Sequence, residues 1–192
     1  MTVNHTISVL VTNEVGVLSR IVDLFSGRGY NIESLTVAPT LDSIYSRVTI
    51  VTRADDDVIE QICKQLNRLI PVIKVANLSV GDAIEYEIGL LKIGVNDENR
   101  AEFMNIVAQA SATIMDVNDK IYTVKIDGDE KQVQTFAELV RPFGIKEFVR
   151  SGKVAITKSG QFSNFKNKKS PLQNKRVSRI SRELISNFIS IF

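Results

Sequence analysis

The residues best placed to do chemistry lie in one stretch, residues 13 to 39, NEVGVLSRIVDLFSGRGYNIESLTVAP. Asn13 can cap a helix by accepting from a backbone N–H near Gly16. Gly16 has no Cβ and lets a ligand or a second backbone come close. The N–H groups at the start of a helix lack intrahelical partners and suit a carboxylate. Leu18, Ile21, Val22 and Phe25 fall at helical spacing as one apolar stripe. Gly27 and Gly29 can take the positive φ of a C-cap and return the chain as a strand at Asn31-Ile32. The same residues also read as a tidy loop and cap with no ligand, and residue types alone leave both readings open.

Other chemistry is missing. There is no phosphate-cradling glycine loop, no dinucleotide fingerprint and no Cys/His spacing for a metal. The one histidine, His5, would have to serve any Ser-His or Cys-His nucleophile from beside the N-terminus. Glu14, Asp23, Glu33 and Asp116 form no pair that the sequence singles out for acid–base work. Asp55, Asp56 and Asp57 crowd a helix start, where the dipole favours negative charge. The lone cysteine, Cys63, shares a helical stripe with Ile59, Ile62 and Leu66, as a core residue does. These features argue against an enzyme working alone and for binding and regulation.

The elements that would hold such a site follow in a clear order. Residues 6 to 11 are apolar on both sides, as in a buried central strand. The helix of the opening stretch follows, then strands at 31 to 38 and 44 to 52. A helix bears Ile59, Ile62, Cys63, Leu66, Leu69 and Ile70 and stops at Pro71. A strand at 72 to 78 completes β-α-β-β-α-β. The pattern then repeats, with strands at 86 to 95, 112 to 117, 120 to 126, 145 to 150 and 153 to 157. Its helices are capped at Asp97 and at Asp127-Gly128-Asp129. The expected fold class is therefore α+β, with two tandem ferredoxin-like βαββαβ domains at residues 4–79 and 85–158. Residues 159–192 form a basic tail, with Lys166, Lys168, Lys169, Lys175, Arg176, Arg179 and Arg182 against Glu183. Its composition is that of a disordered segment, and residues 176 to 192 could make a short amphipathic helix.

A net charge of +2 hides a mildly acidic body, which argues against nucleic-acid binding outside the tail. No apolar run approaches a membrane span. A single cysteine allows no intramolecular disulfide and suits a reducing compartment. The N-terminal MTVNHTISVLV lacks a signal-peptide pattern, so secretion is not expected.

Residues 13 to 40, NEVGVLSRIVDLFSGRGYNIESLTVAPT, resemble the start of the regulatory (small) subunit of acetolactate synthase, an ACT-domain family. The similarity continues through SRVTIVT (46 to 52), QICKQLNRLIPVIKV (61 to 75) and RSGKVAI (150 to 156). It covers about residues 5 to 160 and stops short of the tail. The resemblance implies a non-catalytic chain with an N-terminal ACT domain, and a homodimer formed by pairing ACT sheets side by side. It implies a large catalytic subunit as partner, carrying thiamine diphosphate, Mg and FAD, with no cofactor in this chain. It implies activation of that partner and feedback inhibition by valine at the first common step of valine, leucine and isoleucine synthesis. Valine is then expected at Asn13, Gly16, Val17, Leu18, Asn31 and Ile32. Val17 and Ile32 would line an isopropyl-sized pocket, and Asn31 would reach across the dimer. The compartment implied is bacterial cytoplasm or an organelle stroma such as a plastid. Two rival readings are a free-standing amino-acid-sensing ACT protein and a nucleic-acid-binding regulator acting through residues 166 to 182.

Overall fold

The computed structural model of the chain describes residues 2–79 and 83–158. The expectations for the tail at 159–192 lie outside these residues. Two antiparallel sheets, each carrying two helices, account for the described chain.

The first sheet contains β1 (Val3–Thr12), β2 (Ser34–Pro39), β3 (Tyr45–Ala54) and β4 (Val72–Asn77), in the order β2-β3-β1-β4. Its helices are α1 (Val17–Ser26) and α2 (Asp56–Leu66). Strand β1 is interior and buried on both faces, but over residues 6 to 11 only the face of Ile7, Val9 and Val11 is wholly apolar; the other carries Thr6, Ser8 and Leu10. Ile7, Val9 and Val11 of β1 join Val48 and Ile50 of β3 against Val17, Ile21 and Phe25 of α1 and Ile59, Ile62 and Leu66 of α2. The register places Ser34 opposite Val51 and Thr36 opposite Thr49. Side chains alternate along a strand, so these four share the face away from the helices.

The second sheet contains β5 (Ala83–Gly94), β6 (Thr113–Asn118), β7 (Ile121–Gly128), β8 (Ile145–Arg150) and β9 (Val154–Thr157). Its helices are α3 (Arg100–Gln109) and α4 (Glu130–Val140). Its core joins Leu91, Ile93, Tyr122, Val124 and Ile126 to Phe103, Val107, Val133, Phe136 and Val140. Both β8 and β9 pair with β5. Arg150 stands opposite Gly89 and Val154 opposite Tyr86, so four steps on one side meet three on the other. One residue of 151–153 is therefore surplus, as in a β-bulge. Ser151 keeps the strand attached through its N–H to the Ile88 carbonyl (2.9 Å) and its Oγ from the Ile88 N–H (3.0 Å).

Several local expectations are corrected. The α1 stripe that enters the core is Val17, Ile21 and Phe25; Leu18 is exposed. Asn13 does not cap α1, because Gly16 is the N-cap residue and makes no side-chain cap hydrogen bond. Gly27 is right-handed, at φ −64°, and the positive φ of 71° falls on Gly29 alone. Helix α2 ends at Leu66, five residues before Pro71, where Asn67 Nδ2 donates to the Cys63 carbonyl (2.9 Å). Ile70 is left 93 % exposed. Asn99 rather than Asp97 is the N-cap residue of α3.

These positions separate core from surface in unfolding. Phe25→Ala should lower stability by about 3–5 kcal/mol through a cavity in the first core. Ile70→Ala should stay within about 0.5 kcal/mol of the native chain. Urea titrations of the two variants check both values.

Candidate functional site

The turn before α1 is built on Gly16, whose φ of 83° is left-handed. A Cβ there would meet nothing within 4 Å, so backbone conformation rather than space requires glycine. Arg20 N donates to the Gly16 carbonyl (3.1 Å), the first bond of the helical ladder. Among the four described α-helices, α1 is the one with neither a side-chain cap nor an acidic residue in its first turn. By contrast, α4 has a complete capping box from Asp129 and Gln132, and α2 begins with Asp56 and Asp57. No carboxylate in the first turn of α1 answers the partial positive charge there.

The expected site residues divide around this turn. Asn13 is anchored by its N–H to the Ile44 carbonyl (2.7 Å) and by Nδ2 to the Ser43 carbonyl (3.0 Å). That use of the amide fixes the side chain beside the turn. Val17 contributes its side chain to the core, so the apolar surface at the turn belongs to Leu18 and the fully exposed Val15. Asn31 donates Nδ2 to Glu33 Oε1 (2.8 Å), and its carbonyl accepts from Thr52 Oγ1 (2.6 Å). Ile32 is half-buried and packs on the first core. Within one chain these residues fall in two places: Asn13 bonds residues 43 and 44 just before β3, whereas Asn31 bonds Thr52 near the far end of that strand.

A second polar constellation escaped the sequence reading. The 151–153 bulge carries Gly152 at φ 78°, and a Cβ there would stand 2.6 Å from Ser34 Oγ. Lys153 N donates to Ser34 Oγ (3.2 Å), and the Lys153 carbonyl accepts from Thr36 Oγ1. The Lys153 ammonium reaches Glu130 of α4 (2.7 Å) and Glu85 of β5 (3.1 Å). Burial alone would lower the pKa of Lys153; its hydrogen bonds to Glu130 and Glu85 outweigh that and raise it above the usual lysine value. Nearby, the guanidinium of Arg150 pairs with the buried carboxylate of Glu87. A cavity of about 330 Å³ opens here, with Glu33, Ser34, Arg150, Gly152 and Lys153 among its lining residues. The motif RSGK was visible as a string, but nothing in its spacing says that it meets Ser34 and Thr36.

The remaining candidates have structural roles. Cys63 packs beside the first core, and burial pushes its thiol up in pKa, away from the reactive thiolate. His5 is buried, with Nε2 3.6 Å from Asp56 Oδ1. No group of three His, Cys, Asp or Glu suited to a metal ion occurs among the described residues. No described helix is long and apolar enough to cross a membrane.

Two substitutions test these geometries. Gly16→Ala should cost about 1–2 kcal/mol from left-handed strain despite the open space. Lys153→Met should cost about 1–3 kcal/mol, because it leaves partly buried carboxylates unpartnered. The raised Lys153 pKa gives a stabilisation present in full below the unfolded lysine value of about 10.4. It fades as pH rises through the higher folded value, so the wild type and Lys153→Met should converge in alkaline urea titrations.

Comparison with known proteins adds identity to this geometry. A family model described as "AHAS small subunit-like ACT domain" matches residues 7–74, and one described as "Small subunit of acetolactate synthase" matches residues 86–159. The chain is 43 % identical over 157 residues to a probable acetolactate synthase small subunit of Archaeoglobus fulgidus, covering 82 % of this chain and 98 % of that one. It is 44 % identical over 153 residues to the acetolactate synthase isozyme 3 small subunit of Escherichia coli, covering 79 % and 94 % respectively. The crystal structure of the acetolactate synthase small subunit from Thermotoga maritima superposes with a TM-score of 0.75 at 33 % identity, covering 82 % of this chain and 98 % of that one. With both sheets matched in sequence and fold, the chain belongs to the family of acetolactate synthase small subunits.

Proposed function

We propose that this chain is a non-catalytic regulatory subunit that stimulates a larger acetolactate synthase catalytic subunit and makes it sensitive to valine. The observation that carries the effector site is the uncapped, acid-free N-terminus of α1 behind Gly16. In this reading, residues 4–79 are the effector-binding domain and residues 85–158 the second domain. Thiamine diphosphate, Mg and FAD belong to the catalytic partner.

An amino acid needs a place for its carboxylate, its ammonium and a small apolar side chain. The N–H groups around Gly16, Val17 and Leu18 receive the carboxylate. The side-chain oxygens of Asn13 and Asn31 serve the ammonium, and Leu18 and Ile32 contact the isopropyl group. The open turn supports a site completed by a second copy of the chain. Among the described residues, β2 is an edge strand that begins just after Asn31 and Ile32, and an edge of this kind suits side-by-side sheet pairing. Micromolar to millimolar affinity, about 4 to 8 kcal/mol, suits feedback. One methylene is worth only about 1–3 kcal/mol, so leucine and isoleucine compete. Inhibition requires valine to prefer an arrangement that stimulates the catalytic subunit less.

The test is acetolactate formation by the matching catalytic subunit, with and without this chain, across a valine titration. Stimulation that valine reverses is the expected outcome; no stimulation would overturn the reading. Asn13→Ala should keep the stimulation and raise the half-inhibitory valine concentration by about tenfold or more, the loss of about one charge-assisted hydrogen bond. Full valine sensitivity in that variant would move the effector site elsewhere.

A further inference from the structure

Strand β2 carries both halves of a connection. Its start follows the candidate effector residues Asn31 and Ile32. Its helix-free face presents Ser34 and Thr36 to the Lys153 backbone. The same Lys153 holds β5 and α4 of the second sheet through Glu85 and Glu130. One residue is thus fixed by its backbone to the first sheet and by its ammonium to the second. Gly152 allows the approach, since a Cβ would collide with Ser34 Oγ.

The contact is also built to change. Polar side-chain bonds beside a cavity of about 330 Å³ fasten the bulge to β2. A packed apolar joint resists sliding, whereas a hydrogen-bonded joint beside open space can exchange partners without leaving a dry void. Any shift of β2 along or across its sheet moves Ser34 and Thr36 relative to Lys153, and the lysine's carboxylate partners then move or let go.

We propose that the junction of Ser34 and Thr36 with Gly152 and Lys153 is the coupling element through which an effector held at the start of β2 changes the second sheet. This rests on the regulatory reading above and adds to it the route inside one chain. Thr36 and Ser34 are positioning residues here and do not touch the effector. Coupling is a free-energy difference between sites, so cutting the route separates binding from response. A chain whose valine site no longer works against the second sheet binds valine as tightly as before, or more tightly.

The experiment compares wild type, Thr36→Val and Thr36→Ser as full chains. Thr36→Val keeps the shape and removes the hydroxyl that donates to Lys153; Thr36→Ser keeps a hydroxyl. Valine binding is read by calorimetry, and stimulation and valine inhibition with the matching catalytic subunit. The expected result for Thr36→Val is wild-type stimulation, a valine Kd equal to or below wild type, and a loss of inhibition of about fivefold or more, the lower end of ordinary allosteric coupling. Thr36→Ser should restore inhibition. Inhibition at the wild-type level in Thr36→Val overturns the proposal. So does loss of binding and inhibition together, which would make Thr36 part of the effector site. If the wild-type chain neither stimulates nor responds to valine, the regulatory reading has failed. The junction is then judged by hydrogen exchange of effector-free protein. Faster exchange at Val154–Thr157 in Thr36→Val than in Thr36→Ser supports it as a mechanical link, and equal exchange overturns it.

Discussion

The contact on which the arrangement depends is that of a buried ammonium with two carboxylates. Lys153 is buried, and a lone charge there would be strongly unfavourable. Glu85 and Glu130 answer it from different elements, which ties β5, α4 and the 151–153 bulge into one geometry. Once that geometry is set, the Lys153 N–H and carbonyl stand within hydrogen-bond reach of side chains on β2. Ser34 and Thr36 supply the hydroxyls that meet them. The joint is specific because each of its partners is polar. Apolar residues would tolerate many relative placements, but a donor and an acceptor on one peptide unit tolerate few.

The starts of α4 and α1 are treated in opposite ways. At α4 the chain closes the end completely, with Asp129 and Gln132 exchanging bonds across the first turn, and Glu130 then turns to Lys153. At α1 it leaves the end open and spends a left-handed glycine to shape the approach. Local stability alone would favour a cap at both. The difference is intelligible if the end of α1 receives its partner from outside the chain.

Much of this was legible in the residues. Alternation along residues 44 to 52 and the β-rich run 6 to 11 are local signals, and they specify β3 and the interior position of β1 correctly. Residue type does not fix where a helix begins or ends to within a turn. Leu69 and Ile70 extend the α2 stripe on paper, yet the helix stops at Leu66 and Ile70 faces solvent. Asn13 has the side chain of a cap, but Gly16 takes the N-cap position and Asn13 is held beside it by its Nδ2 to Ser43 and its N–H to Ile44, tertiary contacts that no local pattern reveals. The composition of the effector turn could be read in advance. The bonds from β2 to Lys153 could not, because they join positions 117 and 119 residues apart.

The surplus residue in the β8–β9 bulge makes chain length, as well as residue type, a carrier of information. With one residue fewer between Arg150 and Val154, the two short strands would run on as a single regular strand beside β5, and each of its amides that faces β5 would find a ladder partner. The second sheet would be more regular for the deletion. It would also have no outward loop, and Lys153 would turn from the first sheet into the pleat. An insertion or deletion at this place would be silent in the core and would change how the two sheets are joined.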